Sequence, residues 1–264
     1  MAPFLASWFL RLQQVGPIPS GTPTLPGTAL GVHTPLSVKA WSLLLADHPN
    51  RLWVDSLLKG LEEGVRVGFN PNSSCRPAHT NLLSATSHPE VVQRYLDAEL
   101  ACGNVAGPYS SRQLPPGVMY NRFGVIPKPN KPGKWRLIVD LSYPKGSSVN
   151  DGISASDSSM IYSSIEDAAR FITTLGKGAL LAKIDICNAF RIVPVHPADR
   201  HLLGMHWEGH AYIDQQLPFG LRSAPILFNA YADALEWILR RRGVQNIIHY
   251  LDDFLVVGSP GIYF

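Results

Sequence analysis

Apolar residues recur at helical spacing in four stretches of the chain. After Pro49, Trp53, Leu57 and Leu61 fall four residues apart and Gly64 follows. That pattern predicts an amphipathic packing helix stopped by a glycine. A second helix is predicted over about 89–102, where Val92, Tyr95, Leu96 and Leu100 share a face ahead of Gly103. A third begins at Ser163 and Glu166, which have capping-box spacing, continues through Ala168, Ala169, Phe171 and Ile172, and stops at Gly176. The longest runs from Ala224 to Arg242, with Ser223 as its expected cap and Pro225 tolerated in its first turn. Phe228, Tyr231, Leu235 and Ile238 lie on one face of it, and Gly243 ends it.

Shorter apolar runs between turn residues predict strands. They are 136–141, a buried strand over 179–186 (ALLAKIDI), and a pair over 202–207 and 210–215 around a Glu208, Gly209 turn. In IIHYLDDFLVV two apolar runs, 247–250 and 254–257, flank Leu251, Asp252 and Asp253. Strands and helices mix without regular alternation, so the predicted class is α+β. Residues 1–32 are rich in Pro, Gly, Thr and Ser and read as a tail or linker. Residues 33–104 form a helical N-terminal region, and 105–264 carry the strands.

Composition narrows the function classes. The 264 residues are 45% hydrophobic, enough for a sizeable core, with 22 Gly and 22 Pro. A net charge of +3 is too small to mark a nucleic-acid binder globally, so that case must rest on local clusters. Three cysteines (Cys75, Cys102, Cys187) make no CxxC pair, which argues against a disulfide-stapled secreted module. No apolar run reaches the roughly 18 residues of a spanning helix. The start, MAPFLASWFLRLQQ, lacks a basic n-region and meets Arg11 early, so it reads as an ordinary N-terminal segment. An intracellular protein, cytoplasmic or nuclear, is expected.

Four features bear on chemistry. Adjacent aspartates between two apolar strands would be costly to bury. Asp252 and Asp253 read either as a hairpin turn or as ligands for a hard cation. Asp185 ends an apolar strand, and three carboxylates brought together repel unless cations offset them. Between Arg122 and Val139 stand Arg122, Lys128, Lys131, Lys134 and Arg136 without an acid, around Pro127, Pro129, Pro132 and Gly133. That hairpin reads as a solvated surface loop or as a grip for phosphates. In LPFGLRSAP (217–225), Gly220 permits close backbone approach to a ligand. His196, His201, His206 and His210 lack the cysteines or the HExxH pattern of a zinc site and carry no reading of their own.

Asp185 with Phe190, then LPFGLRSAP, then YLDD (250–253), in this order and spacing, resembles the palm of a reverse transcriptase. The run GKWRLIVDLS (133–142) resembles the fingers hairpin of the same enzymes, so the resemblance covers about 105–264 with four motifs. The segments NPNSS, HPEVV and YPKGSSVNDGI are similar to retrotransposon polymerases of the tyrosine-recombinase, DIRS-like group.

The resemblance implies a right-hand polymerase with fingers and a partial palm. It also implies RNA-templated DNA synthesis from dNTPs on a DNA primer, and two Mg²⁺ ions that Mn²⁺ can replace. Asp185, Asp252 and Asp253 would be the catalytic metal ligands, with the backbone carbonyl of Ile186 assisting. Arg136, with Lys128 or Lys131, would contact the triphosphate. Phe190 would sit beneath the sugar and exclude a 2′-hydroxyl. Phe219 and Gly220 would line the nucleotide pocket, and Tyr250 and Leu251 would face the primer end.

Some positions depart from the retroviral pattern. Phe219 stands where retroviral enzymes often have Gln, and Ser142 and Tyr143 replace an Arg-containing stretch. The primer grip, thumb and RNase H regions have no counterpart before Phe264, which is the expectation for a truncated element or partial gene model of poor activity. The other readings are a non-catalytic remnant that binds nucleic acid and an RNA-dependent RNA polymerase. Phe190 and a YLDD turn in place of Gly-Asp-Asp stand against the last.

Overall fold

The computed structural model describes residues 25, 31–78, 80–110, 112–114, 116–129, 131–156 and 160–259. The expected tail and the N-terminal segment thus lie almost wholly outside the described residues. Helices α1 (Val38–Leu44), α2 (Arg51–Glu63), α3 (Leu83–Thr86) and α4 (Pro89–Ala101) precede β1 (Val105–Tyr109), β2 (Tyr120–Pro127) and β3 (Trp135–Asp140). Then come α5 (Ile165–Leu175), β4 (Leu180–Asp185), β5 (Gly204–Trp207), β6 (His210–Asp214), α6 (Ala224–Arg241), β7 (Ile247–Tyr250) and β8 (Asp253–Gly258). The class is α+β, as the sequence implied. Among the described residues no helix is long and apolar enough to cross a membrane.

Helix ends follow local chemistry. Asn50 caps α2 by accepting from the Trp53 amide at 3.1 Å, and Gly64 closes it. The expected box at Ser163 and Glu166 sits one residue later. Ser164 and Asp167 satisfy each other's backbone amides at the start of α5. Ser223 stands at the N-cap of α6 but makes no capping bond; its hydroxyl instead donates to the Val67 carbonyl at 2.7 Å. That bond ties the start of the long helix to the segment after α2.

Two sheets result. A five-stranded sheet runs β1-β6-β5-β2-β3, with β2 and β5 parallel and the other pairs antiparallel. A three-stranded antiparallel sheet runs β4-β8-β7. One core joins Trp53, Leu57 and Leu61 of α2 to Leu227, Phe228 and Tyr231 of α6 and to Phe254 of β8. A second packs Val92 and Leu96 of α4 against Phe123, Val125, Met205 and Trp207. The helices of 33–104 therefore share their cores with later strands.

The strand over 179–186 differs from expectation. It forms β4, but Leu181 is 56% exposed and Ile184 49%. The reason is position: β4 is an edge strand, and no residue of the preceding α5 is fully buried. Continuous apolar character does not reveal how many faces of a strand are covered.

Candidate active site

The β4-β8 ladder builds the site. Its register runs from Leu180 opposite Gly258 to Asp185 opposite Asp253, and Tyr250 faces Asp253 from β7. Residues directly opposite in an antiparallel pair point to one face, about 5 Å apart at Cβ. The sheet thus sets two carboxylates on one face, an arrangement that destabilises a bare ladder. Asp252 lies in the tight turn between β7 and β8. Its carbonyl accepts from the Ile186 amide at 3.0 Å, so the end of β4 is fastened to that turn. Leu251 takes a φ of 54° in the same turn, a conformation that costs a non-glycine residue about 1–2 kcal/mol.

A cation already meets these acids. Lys183, two residues before Asp185 on the same strand face, puts its ammonium 2.9 Å from a carboxylate oxygen of Asp253. The hydrogen bond and charge of Asp253 hold the Lys183 ammonium above its ordinary pKa, and Asp185 and Asp252 add to the effect. Three carboxylates suit a hard dication, and an ammonium stands in for it at one of them; the Ile186 carbonyl accepts from the Ala189 amide at 3.3 Å. Among the described residues, however, no three His, Cys, Asp or Glu side chains are gathered so as to hold a metal ion. The acids share one end of a sheet without closing on one point.

A cleft of about 960 Å³ opens from Asp252 toward the β2-β3 hairpin. Lys128 and Arg136 line it, together with Phe219 and Gly220. The Lys128 amide donates to the Lys134 carbonyl at 2.8 Å, closing the proline-shaped loop. Arg122 belongs elsewhere. It pairs with Asp140 at 2.9 Å and lies 3.6 Å over the ring of Tyr143, which accounts for Tyr143 at this position.

Gly220 is also required by the fold itself. At a φ of 94°, a Cβ there would meet the Val139 carbonyl at 2.9 Å, so strand β3 closes on the backbone at this point. Asn150 fixes the same loop, donating to the Gly220 carbonyl and accepting from the Arg222 amide, both at 2.8 Å.

Phe190 does not line the cleft. It is buried, with its ring centre 4.9 Å from Phe219 and 5.4 Å from Phe228. Phe219 lies over it, 59% exposed. The next residue, Arg191, pins this turn through buried ion pairs to Glu99 of α4 and Asp214 of β6, both 2.6 Å. Burial pushes the Asp214 carboxyl up to about 6 against the pull of Arg191.

Behind the YLDD turn, buried His249 contacts Glu236 at 2.7 Å and Asn229 at 3.2 Å, both on α6. Tyr250 is exposed and stacks on Tyr162 at 4.6 Å.

Lys183, and Arg94 of α4, which also lines the cleft, were not singled out in the sequence. A lysine in an apolar strand and an arginine on a helix face read as solvated groups until the fold brings them to the acids and the hairpin.

Residues 126–260 match the family described as "Reverse transcriptase (RNA-dependent DNA polymerase)". The chain belongs to the reverse transcriptase family. Enzymes of this family use divalent metals such as Mg²⁺. The chain is 26% identical over 132 residues to the Pro-Pol polyprotein of simian foamy virus type 1, covering 50% of this chain and 10% of that one. It is 28% identical over 131 residues to the Pro-Pol polyprotein of feline foamy virus, with the same coverage. Against the Gag-Pro-Pol polyprotein of Mason-Pfizer monkey virus it is 26% identical over 139 residues, covering 50% and 7%. The chain therefore spans a tenth or less of these polyproteins. Among solved structures, foamy viral protease-reverse transcriptase in complex with RNA/DNA hybrid superposes with a TM-score of 0.53 at 20% identity, covering 87% of this chain and 30% of that one. A mutant prototype foamy virus protease-reverse transcriptase gives 0.51 at 19%, covering 86% and 30%. At this identity the likeness shows a shared reverse transcriptase fold.

Proposed function

We propose that the chain adds deoxynucleotides from dNTPs to a DNA primer 3′-hydroxyl on an RNA template. The observation that carries this is the pair Asp185 and Asp253 facing each other across a ladder, with Asp252 in the turn fastened to Ile186. Like charges set together repel unless a cation or a shared proton offsets them. Asp185, Asp252 and Asp253, with the Ile186 carbonyl, would hold two Mg²⁺ ions. When bound, such a pair favours deprotonation of the hydroxyl and neutralises the departing pyrophosphate.

The protein's own groups do the rest. Arg136, with Lys128 or Lys131, grips the triphosphate at the hairpin; of the two lysines, Lys128 lines the cleft. Phe219 and Gly220 wall the nucleotide, and Phe219, backed by the buried ring of Phe190, excludes a 2′-hydroxyl. Tyr250 and Leu251 meet the primer end. Origin in a retrotransposon of the tyrosine-recombinase, DIRS-like group is supported by the segments NPNSS, HPEVV and YPKGSSVNDGI.

The test is single-nucleotide addition to a primer on an RNA template, with enzyme in excess so that weak binding does not hide chemistry. Asp252→Asn should lower the rate constant by about 10³-fold, the scale of several kcal/mol of lost charge stabilisation. An unchanged rate would refute the assignment. Template-primer binding without any addition by the unaltered chain would favour the non-catalytic remnant.

A further inference from the structure

We propose that Lys183 is a resident counter-ion of the carboxylate cluster, which a divalent metal must displace from Asp253 to load the site. The inference rests on the reading of the three aspartates as metal ligands and goes one step beyond it. Lys183 and Asp185 alternate on one face of β4, and Asp253 is the residue opposite Asp185. The Lys183 ammonium spans the diagonal to an Asp253 oxygen at 2.9 Å.

Two facts separate this from an ordinary structural ion pair. Both side chains remain substantially exposed, 67% for Lys183 and 45% for Asp253, and pairs this open contribute little to stability. The partner is also not a spare surface acid: Asp253 stands opposite a second carboxylate, where the ladder needs positive charge. Lysine suits the role because its ammonium is a compact charge on a flexible stem that can swing away. While it stays, one Asp253 oxygen is turned to the ammonium. That agrees with the absence, among the described residues, of three acids gathered on one point. Loading is then an exchange of one cation for another.

The test reads metal binding with no nucleotide and no turnover. Mn²⁺ is titrated into the 264-residue chain at fixed ionic strength, and free Mn²⁺ is followed by electron paramagnetic resonance. Wild type, K183M, D253N and the double variant form a cycle, with K183R as a charge-keeping control and thermal melts confirming the fold. K183M should bind Mn²⁺ roughly two- to fivefold more tightly, the scale of one open ion pair. K183R should stay near wild type, and the gain should vanish in the D253N background. Unchanged or weaker binding by K183M would overturn the inference. So would an equal gain with and without Asp253, which would mark a long-range field effect. The underlying reading fails separately: if D252N binds Mn²⁺ as well as wild type does, the aspartates are not the ligands.

Discussion

Phe190 and Phe219 are a contacting pair of rings, one buried and one exposed. Phe190 fills core space against Phe228 and supports Phe219, which meets the cleft. Truncating either ring should widen the space at the sugar. Phe190→Ala and Phe219→Ala should each raise ribonucleotide over deoxyribonucleotide incorporation, by about tenfold on the scale of one lost apolar contact. Competition assays with matched rNTP and dNTP pairs measure this. An unchanged ratio in both variants would locate the gate elsewhere. At this scale the aspartates were legible because acids inside apolar strands conflict with local preference. Lys183 and Arg94 were not, since neither breaks a local rule. The capping serine was missed by one position because Ser163 and Ser164 are adjacent, as are Glu166 and Asp167, and helix register chooses between them.

The YLDD hairpin is an element held from behind. Its His249 reaches Glu236 and Asn229 and lies 3.5 Å from Asp233, all on α6. Burial pushes the Asp233 carboxyl up to about 6, against the pull of His249. A carboxyl raised in the fold contributes stability while protonated. That contribution is full below the unfolded pKa near 4 and is lost as pH rises through about 6. Asp233→Asn removes the cost of ionisation. Its melting temperature relative to wild type should therefore be higher at pH 8 than at pH 4, by an amount equivalent to about 2–3 kcal/mol. An equal difference at both values would show that the Asp233 carboxyl keeps its ordinary pKa in the fold. The helices over 51–63, 89–101 and 224–241 were legible because periodicity and stop residues agreed. The exposure of β4 was not, because an edge strand and a central one can share the same apolar run.

Across the whole molecule, two packed units meet at one cleft. Helix α4 and the β2-β3 hairpin line it with cations, and the turn between β7 and β8 lines it with Asp252. Gly220 and Asn150 hold the connecting loop against β3. This convergence is long-range and has no local signature, so in the sequence only the order of the motifs points to it. The central claim is that Asp185, Asp252 and Asp253 converge on two metal ions. Anomalous diffraction from crystals of the chain with Mn²⁺, template-primer and a non-reactive nucleotide tests it most directly. Expected are two peaks about 3.5–4 Å apart, bridged by these three carboxylates, with the Lys183 ammonium displaced from Asp253. Peaks away from the YLDD turn, or Asp185 on the far face of the sheet from Asp252 and Asp253, would contradict it.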